Sequence, residues 1–123
     1  MSPVFNEDHV VTADGYRLPL HRWLPGEEME AVVLGFHGFN DYGNAFHYLR
    51  KDIVEAGNIA IYAYDQRGFG ATDRPGIWAG QETLVSDAHT VITLLRARYP
   101  DKPLYLMGES MGAAVVLLAL AED

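Results

Sequence analysis

The sequence predicts an α/β chain in which a short antiparallel hairpin leads into a parallel sheet with helices on both faces. From Ala31 onward, apolar runs of strand length alternate with segments of helical spacing in the order strand, helix, strand, helix, strand, helix. Such alternation builds parallel sheets through crossover connections. The runs Ala31-Val-Val-Leu-Gly-Phe36 and Ile59-Ala-Ile-Tyr-Ala-Tyr64 are continuously apolar, as expected of strands covered on both faces. Upstream, Asp14-Gly15 separates two strand-like runs and suits the positive φ values of a tight hairpin turn.

The hairpin is expected to join residues 9–12 to residues 16–24, and Pro19 predicts a second strand that is irregular or partly unpaired. A polar turn over 25–30 precedes the first buried strand, 31–36. The glycine-punctuated loop His37-Gly-Phe-Asn-Asp-Tyr-Gly43 follows it. Phe46, Leu49, Ile53 and Ala56 stand at helical spacing and predict a helix over 44–56, with Gly57 as the left-handed residue that ends it. After the strand 59–64, a polar, glycine-rich connection runs from Asp65 to Gly80, long for a mere connector. Leu84, Ala88, Val91 and Leu95 make the stripe of a helix over 82–98. Arg96 and Arg98 complement its dipole, and Pro100 and Pro103 stop it. A strand from Leu104 to Met107 and a small, apolar helix complete the pattern.

The chain has 123 residues, 49% of them hydrophobic, which suits one compact domain over 1–123. Its net charge of −8 and the lack of a basic stripe argue against nucleic acid as a partner. With no cysteine, disulfides, thiol catalysis and cysteine-ligated metal are excluded. The histidines lack paired ligand spacing, so no metal is expected. The first residues have neither the basic start nor the apolar core of a signal peptide. The longest apolar stretch, near 113–121, is far shorter than the roughly 20 residues of a membrane span. A cytoplasmic chain is the expectation.

Gly108-Glu109-Ser110-Met111-Gly112 lies directly between the last strand and the last helix. At this spacing the glycines permit a sharp strand-to-helix turn that projects a serine hydroxyl above the sheet, the arrangement called a nucleophile elbow. Ser110 is therefore the candidate nucleophile. The helix start aims the Met111 N–H at an oxygen that becomes negative during attack on a carbonyl. His37-Gly38-Phe39 follows the first buried strand, and the Phe39 N–H is the candidate second donor. His37 itself is expected to bond within its own loop. Asp65 and Arg67 are expected to fix loops, whereas Phe39, Tyr42, Phe69 and Trp78 are candidates to line a pocket. A dinucleotide site lacks its Gly-x-Gly-x-x-Gly.

With Asp65-Gln-Arg-Gly-Phe-Gly70 after the next strand, these motifs resemble the α/β-hydrolases, in particular their monoacylglycerol lipase and lysophospholipase-like branch. The likeness runs from the hairpin to the helix after Ser110, the N-terminal half of such an enzyme. It implies a sheet ordered 1-2-4-3-5, Ser110 as nucleophile, Phe39 and Met111 as backbone oxyanion donors, no cofactor, and a small or lipid-like carboxylic ester as substrate. It also implies a triad acid and histidine later in the chain than the nucleophile. His9, His21, His37, His47 and His89 all precede Ser110. A partial α/β-hydrolase domain, truncated after the elbow helix and with little or no turnover alone, is thus expected. The rival is a non-catalytic truncated or split chain that binds a partner or ligand. In the family the strand from Leu104 to Met107 is interior, so its outer edge would be bare and open to a second copy or to a missing C-terminal chain. The charges of Glu122 and Asp123 have the wrong sign for a helix C-terminus.

Overall fold

A computed structural model describes residues 2–73 and 75–121. Its strands are β1 (Val4–Phe5), β2 (His9–Val11), β3 (Arg17–Trp23), β4 (Ala31–Phe36), β5 (Ile59–Tyr64) and β6 (Leu104–Gly108), joined in one sheet in the order β1-β2-β3-β5-β4-β6. Setting aside the two-residue β1, this is the expected order 1-2-4-3-5. β4 pairs in parallel with both β5 and β6, while β1, β2 and β3 form the antiparallel end. The long helices are α1 (Gln81–Arg98) and α2 (Met111–Ala121). Glu122 and Asp123, on which the reading of the helix end rested, lie outside the described residues.

Side-chain parity in the parallel strands divides the core. Val32, Leu34, Phe36, Ala60, Tyr62 and Tyr64 point to one face and pack with Leu84, Ala88, Val91 and Leu95 of α1 and Val115, Val116 and Ala119 of α2. Val33, Ile61 and Ala63 point to the other, where Phe46 and Val54 cover them. Because successive strand residues face opposite ways, a continuously apolar strand needs exactly this double cover, and β4 is buried at every position.

Four details differ from the sequence-based expectations. The segment predicted as a helix over 44–56 is a 3₁₀ helix, Gly43–Leu49, running into a wider π-helix, Arg50–Glu55. Three residues per turn align Gly43, Phe46 and Leu49, and the looser turn brings Val54 into the core while Ala56 is exposed. The left-handed residue after it is Asn58, at φ 55°, and not Gly57; asparagine tolerates that region through local hydrogen bonding. In the hairpin only Gly15 has positive φ, at 84°. Thr12 and Tyr16 pair around it (Thr12 N–H to Tyr16 O, 2.9 Å), so the loop has one residue more than a two-residue Asp-Gly turn. β3 is continuous, and Pro19 marks a change of partner: residues up to Pro19 pair with β2, and those from Leu20 pair with β5.

Candidate active site

The chain leaves β6 and enters α2 through Ser110, which is exposed and held at φ 52°. A non-glycine residue there costs about 1–3 kcal/mol and persists only where its surroundings enforce it. They do so by backbone crowding on both sides. A Cβ on Gly108 would lie 2.5 Å from Ala113 N and 2.7 Å from Gly112 C, and one on Gly112 would lie 2.5 Å from Phe36 C and 2.7 Å from His37 O. The Glu109 N–H donates to Phe36 O at 3.1 Å, tying the turn to the end of β4.

The loop after β4 lies against the same turn. A Cβ on Gly38 would sit 3.6 Å from the Ser110 Cβ, which places the next residue, Phe39, beside the serine. Among the described residues, neither the Phe39 N–H nor the Met111 N–H donates a hydrogen bond. The first N–H groups of a helix have no intrahelical acceptor, and Met111 is the first residue of α2.

Buried polar side chains hold the loops. The Gln66 N–H donates to His37 Nε2 at 2.9 Å, so the proton of the neutral ring resides on Nδ1, which donates to Gly38 O at 2.8 Å. The Gln66 amide returns a bond to His37 O at 2.9 Å. Burial lowers the His37 pKa below its ordinary value near 6.5, because desolvation penalises the imidazolium. Asp65 is buried and accepts from the Gly43 N–H (2.7 Å), His21 Nε2 (3.0 Å) and the Ala71 N–H (3.0 Å). Burial raises this carboxyl, but the three hydrogen bonds outweigh it and leave the pKa lowered. One carboxylate thus joins β3 to both loops that follow the central strands. Arg67 is fully occupied in structure: it grips Asp87 of α1 through two bonds of 3.0 and 2.9 Å, reaches Asp14 at 2.8 Å, and lies 4.1 Å over the Tyr16 ring.

A family model described as serine aminopeptidase, S33 (Hydrolase_4), matches residues 27–123. The chain belongs to this family. It is 27% identical over 121 residues to monoglyceride lipase of Homo sapiens, an alignment covering 93% of this chain and 38% of that relative. Esterase EaEST from Exiguobacterium antarcticum superposes with a TM-score of 0.74 at 25% identity, over 94% of this chain and 40% of that one. A soluble variant of monoglyceride lipase from Saccharomyces cerevisiae superposes with a TM-score of 0.75 at 20% identity, over 99% and 40%, and shares the fold. The S33 chain therefore spans about two fifths of the length of the proteins it matches, and its architecture is a partial α/β-hydrolase fold.

In this S33 chain the three loop motifs converge at one sheet edge, as their positions after β4, β5 and β6 require. No described histidine hydrogen-bonds Ser110: His9 meets Asp8 and Asn6, His21 meets Asp65, and His47 meets Asn44 O. Two contacts had no signal in the sequence. His21 lies far from Asp65 along the chain, on the alternating face of a hairpin strand. Tyr48 donates to Glu109 at 2.8 Å, bridging the 3₁₀ helix and the turn at Ser110. No described helix is long and apolar enough to cross a membrane.

The neutral His37 gives a pH prediction. Between its ordinary value near 6.5 and its lowered folded value, the unfolded chain binds the proton and the folded chain does not. This contribution to stability is complete above about pH 6.5 and is lost as the pH falls through the folded pKa, with a slope of at most about 1.4 kcal/mol per pH unit. Urea titrations at pH 7.5, 6.0 and 5.0 should show the decline, and H37N should flatten it. An identical slope in both proteins would remove His37 as the source.

Proposed function

We propose that Ser110 is the nucleophile of a serine ester hydrolase acting on a small or lipid-like carboxylic ester. The observation that carries this is Ser110 itself, exposed at φ 52° beside Gly38, with two undonated N–H groups on either side of it in the chain and the neighbouring loop. In the reaction the Ser110 oxygen bonds to the ester carbonyl carbon while a base takes the hydroxyl proton. The carbonyl electron pair moves onto oxygen, and the Phe39 and Met111 N–H groups stabilise that oxyanion. Collapse expels the alcohol and leaves an acyl-serine for water to cleave. The base and the carboxylate that orients it come from outside residues 1–123. The names of the relatives support the ester class, and the chain alone is expected to turn over little.

Exogenous imidazole tests this, because it supplies the base and leaves the oxyanion donors to the protein. With a p-nitrophenyl ester, millimolar imidazole should accelerate Ser110 acylation, read as an acyl mass adduct on Ser110, and S110A should show no adduct. A fluorophosphonate should label the isolated chain far more slowly than an intact serine hydrolase, since loss of triad members leaves only about 10³–10⁴ over water. Adducts that form equally in S110A would overturn the reading.

The second reading, a chain that binds a partner, is favoured by the edge beside β6. β6 pairs only with β4 among the described residues, and Tyr105 and Leu120 are exposed around a depression of about 880 Å³ between α1, β6 and α2. A partly buried apolar edge with free backbone groups pairs readily with another strand. Concentration-dependent association in sedimentation, with slowed amide exchange along β6, is the expected result. A monomer at high concentration would remove this role.

A further inference from the structure

A pocket of about 340 Å³ opens beside the proposed oxyanion loop, and its lining includes Phe39, Tyr42, Phe69, Ile77 and Trp78. It lies within the size range of small-molecule sites. Its rings are arranged as an open aromatic corner. Phe39 meets Phe69 edge to face, with centroids 5.4 Å apart at 76°, and meets Trp78 at 6.4 Å and 50°. Both Phe39 (61%) and Trp78 (58%) nevertheless remain largely exposed, so ring faces and edges are left without a partner. Apolar exposure concentrated in one concave patch marks a binding site more than does scattered exposure.

The walls are pre-organised. The Asp65 carboxylate fastens Gly43 and Ala71, the residues that directly follow the lining residues Tyr42 and Gly70. The Gly76 N–H donates to Gly68 O at 2.8 Å, and Gly68, at φ 90°, leaves no room for a Cβ against the Ile77 carbonyl. A rigid, ring-lined corner suits a rigid, flat guest: a further ring gains edge-to-face contacts with Phe39 and Trp78. A flexible alkyl chain gains no such contacts and loses rotational freedom on binding. Asp41 lines the same rim, its carboxylate accepting the Tyr42 N–H at 2.9 Å, and it disfavours an anionic guest.

We propose that this pocket receives the aryl group of a small, uncharged ester. The proposal rests on the reading of Ser110 as an ester nucleophile and narrows its substrate class, because Phe39 follows the glycine that abuts Ser110. Three non-hydrolysable probes with the same number of carbons in the acyl part test it: N-methyl-3-phenylpropanamide, N-methyl-3-cyclohexylpropanamide and N-methylnonanamide. Binding is followed by amide and indole NMR shifts. The phenyl probe should bind at least about threefold more tightly than either saturated probe, with the largest shifts at Phe39, Gly68, Gly70 and the Trp78 indole. F39L and W78L, which keep apolar bulk on exposed positions, should abolish the preference. Equal or reversed preference, shifts centred on the depression between α1, β6 and α2, or no binding up to the solubility limit would overturn the proposal. Binding is read without turnover. Its failure therefore leaves the Ser110 acylation test standing, and failure of that test leaves the binding result standing.

Discussion

G112A should be the most destabilising single methyl addition in the chain. The new Cβ would enter the space of the Phe36 carbonyl oxygen, 2.5 Å from Phe36 C and 2.7 Å from His37 O. These are backbone atoms at the end of β4, whose neighbours on both sides are paired strands, so neither partner can yield. Overpacking of this kind costs about 3 kcal/mol or more, a large share of the roughly 5–15 kcal/mol that holds a domain. G26A, with nothing within 4 Å of the added carbon, should change stability by no more than about 0.5 kcal/mol. S110G should go the other way and stabilise by about 1 kcal/mol, because it removes the cost of a side chain at φ 52°. Urea unfolding followed by circular dichroism measures all three. A G112A chain within about 1 kcal/mol of the parent would mean that α2 can shift away from β4, and the turn at Ser110 would then not be held rigidly.

The same crowding explains which parts of this molecule were legible in the sequence. β4, β5 and α1 were readable because burial on two faces, or on one stripe, imposes a composition that persists over many residues. The glycines around Ser110 were readable because only one residue type fits where two backbones touch. The segment 44–56 reads as one regular helix, since Phe46, Leu49, Ile53 and Ala56 satisfy that spacing. Its actual pitch is set by Gly43, whose N–H is fastened to Asp65 and whose missing Cβ admits the His21 ring and Ala63 O. That constraint comes from two other strands, and local sequence carries no trace of it. β1 escaped for a related reason, because two residues show no alternation. Phe5 is ordered by its contact with Tyr62, with centroids 6.0 Å apart. At the site, loop order gave the convergence of the Gly38, Asp65 and Ser110 loops at one edge. The tautomer of His37 needed the position of Gln66, which only the fold supplies.

R67A should be nearly as damaging as G112A, through charge instead of volume. The Arg67 side chain is 14% exposed and its partner Asp87 only 5%, whereas its other partner, Asp14, is 62% exposed. Removing the guanidinium therefore returns Asp14 to solvent at little cost and strands Asp87 on the buried face of α1. Breaking a buried pair in this way costs about 3–5 kcal/mol. Burial already holds the Asp87 pKa above its ordinary value near 3.8, with the Arg67 bonds opposing the rise. Without those bonds the rise must grow. A carboxyl with a raised folded pKa contributes most at low pH and loses that contribution as the pH climbs through the folded value. The deficit of R67A should therefore shrink on acidification toward pH 4, opposite to the trend that His37 imposes on the parent. R67K keeps the charge but loses the two-pronged grip on Asp87, and it should fall between parent and R67A. R67A/D87N leaves a neutral amide in place of the stranded carboxylate, so it should recover part of the loss at pH 7 and lack the pH dependence that distinguishes R67A. Equal deficits for R67A and R67A/D87N across that range would assign the cost to lost packing on Tyr16, 4.1 Å from the guanidinium, and not to the buried charge.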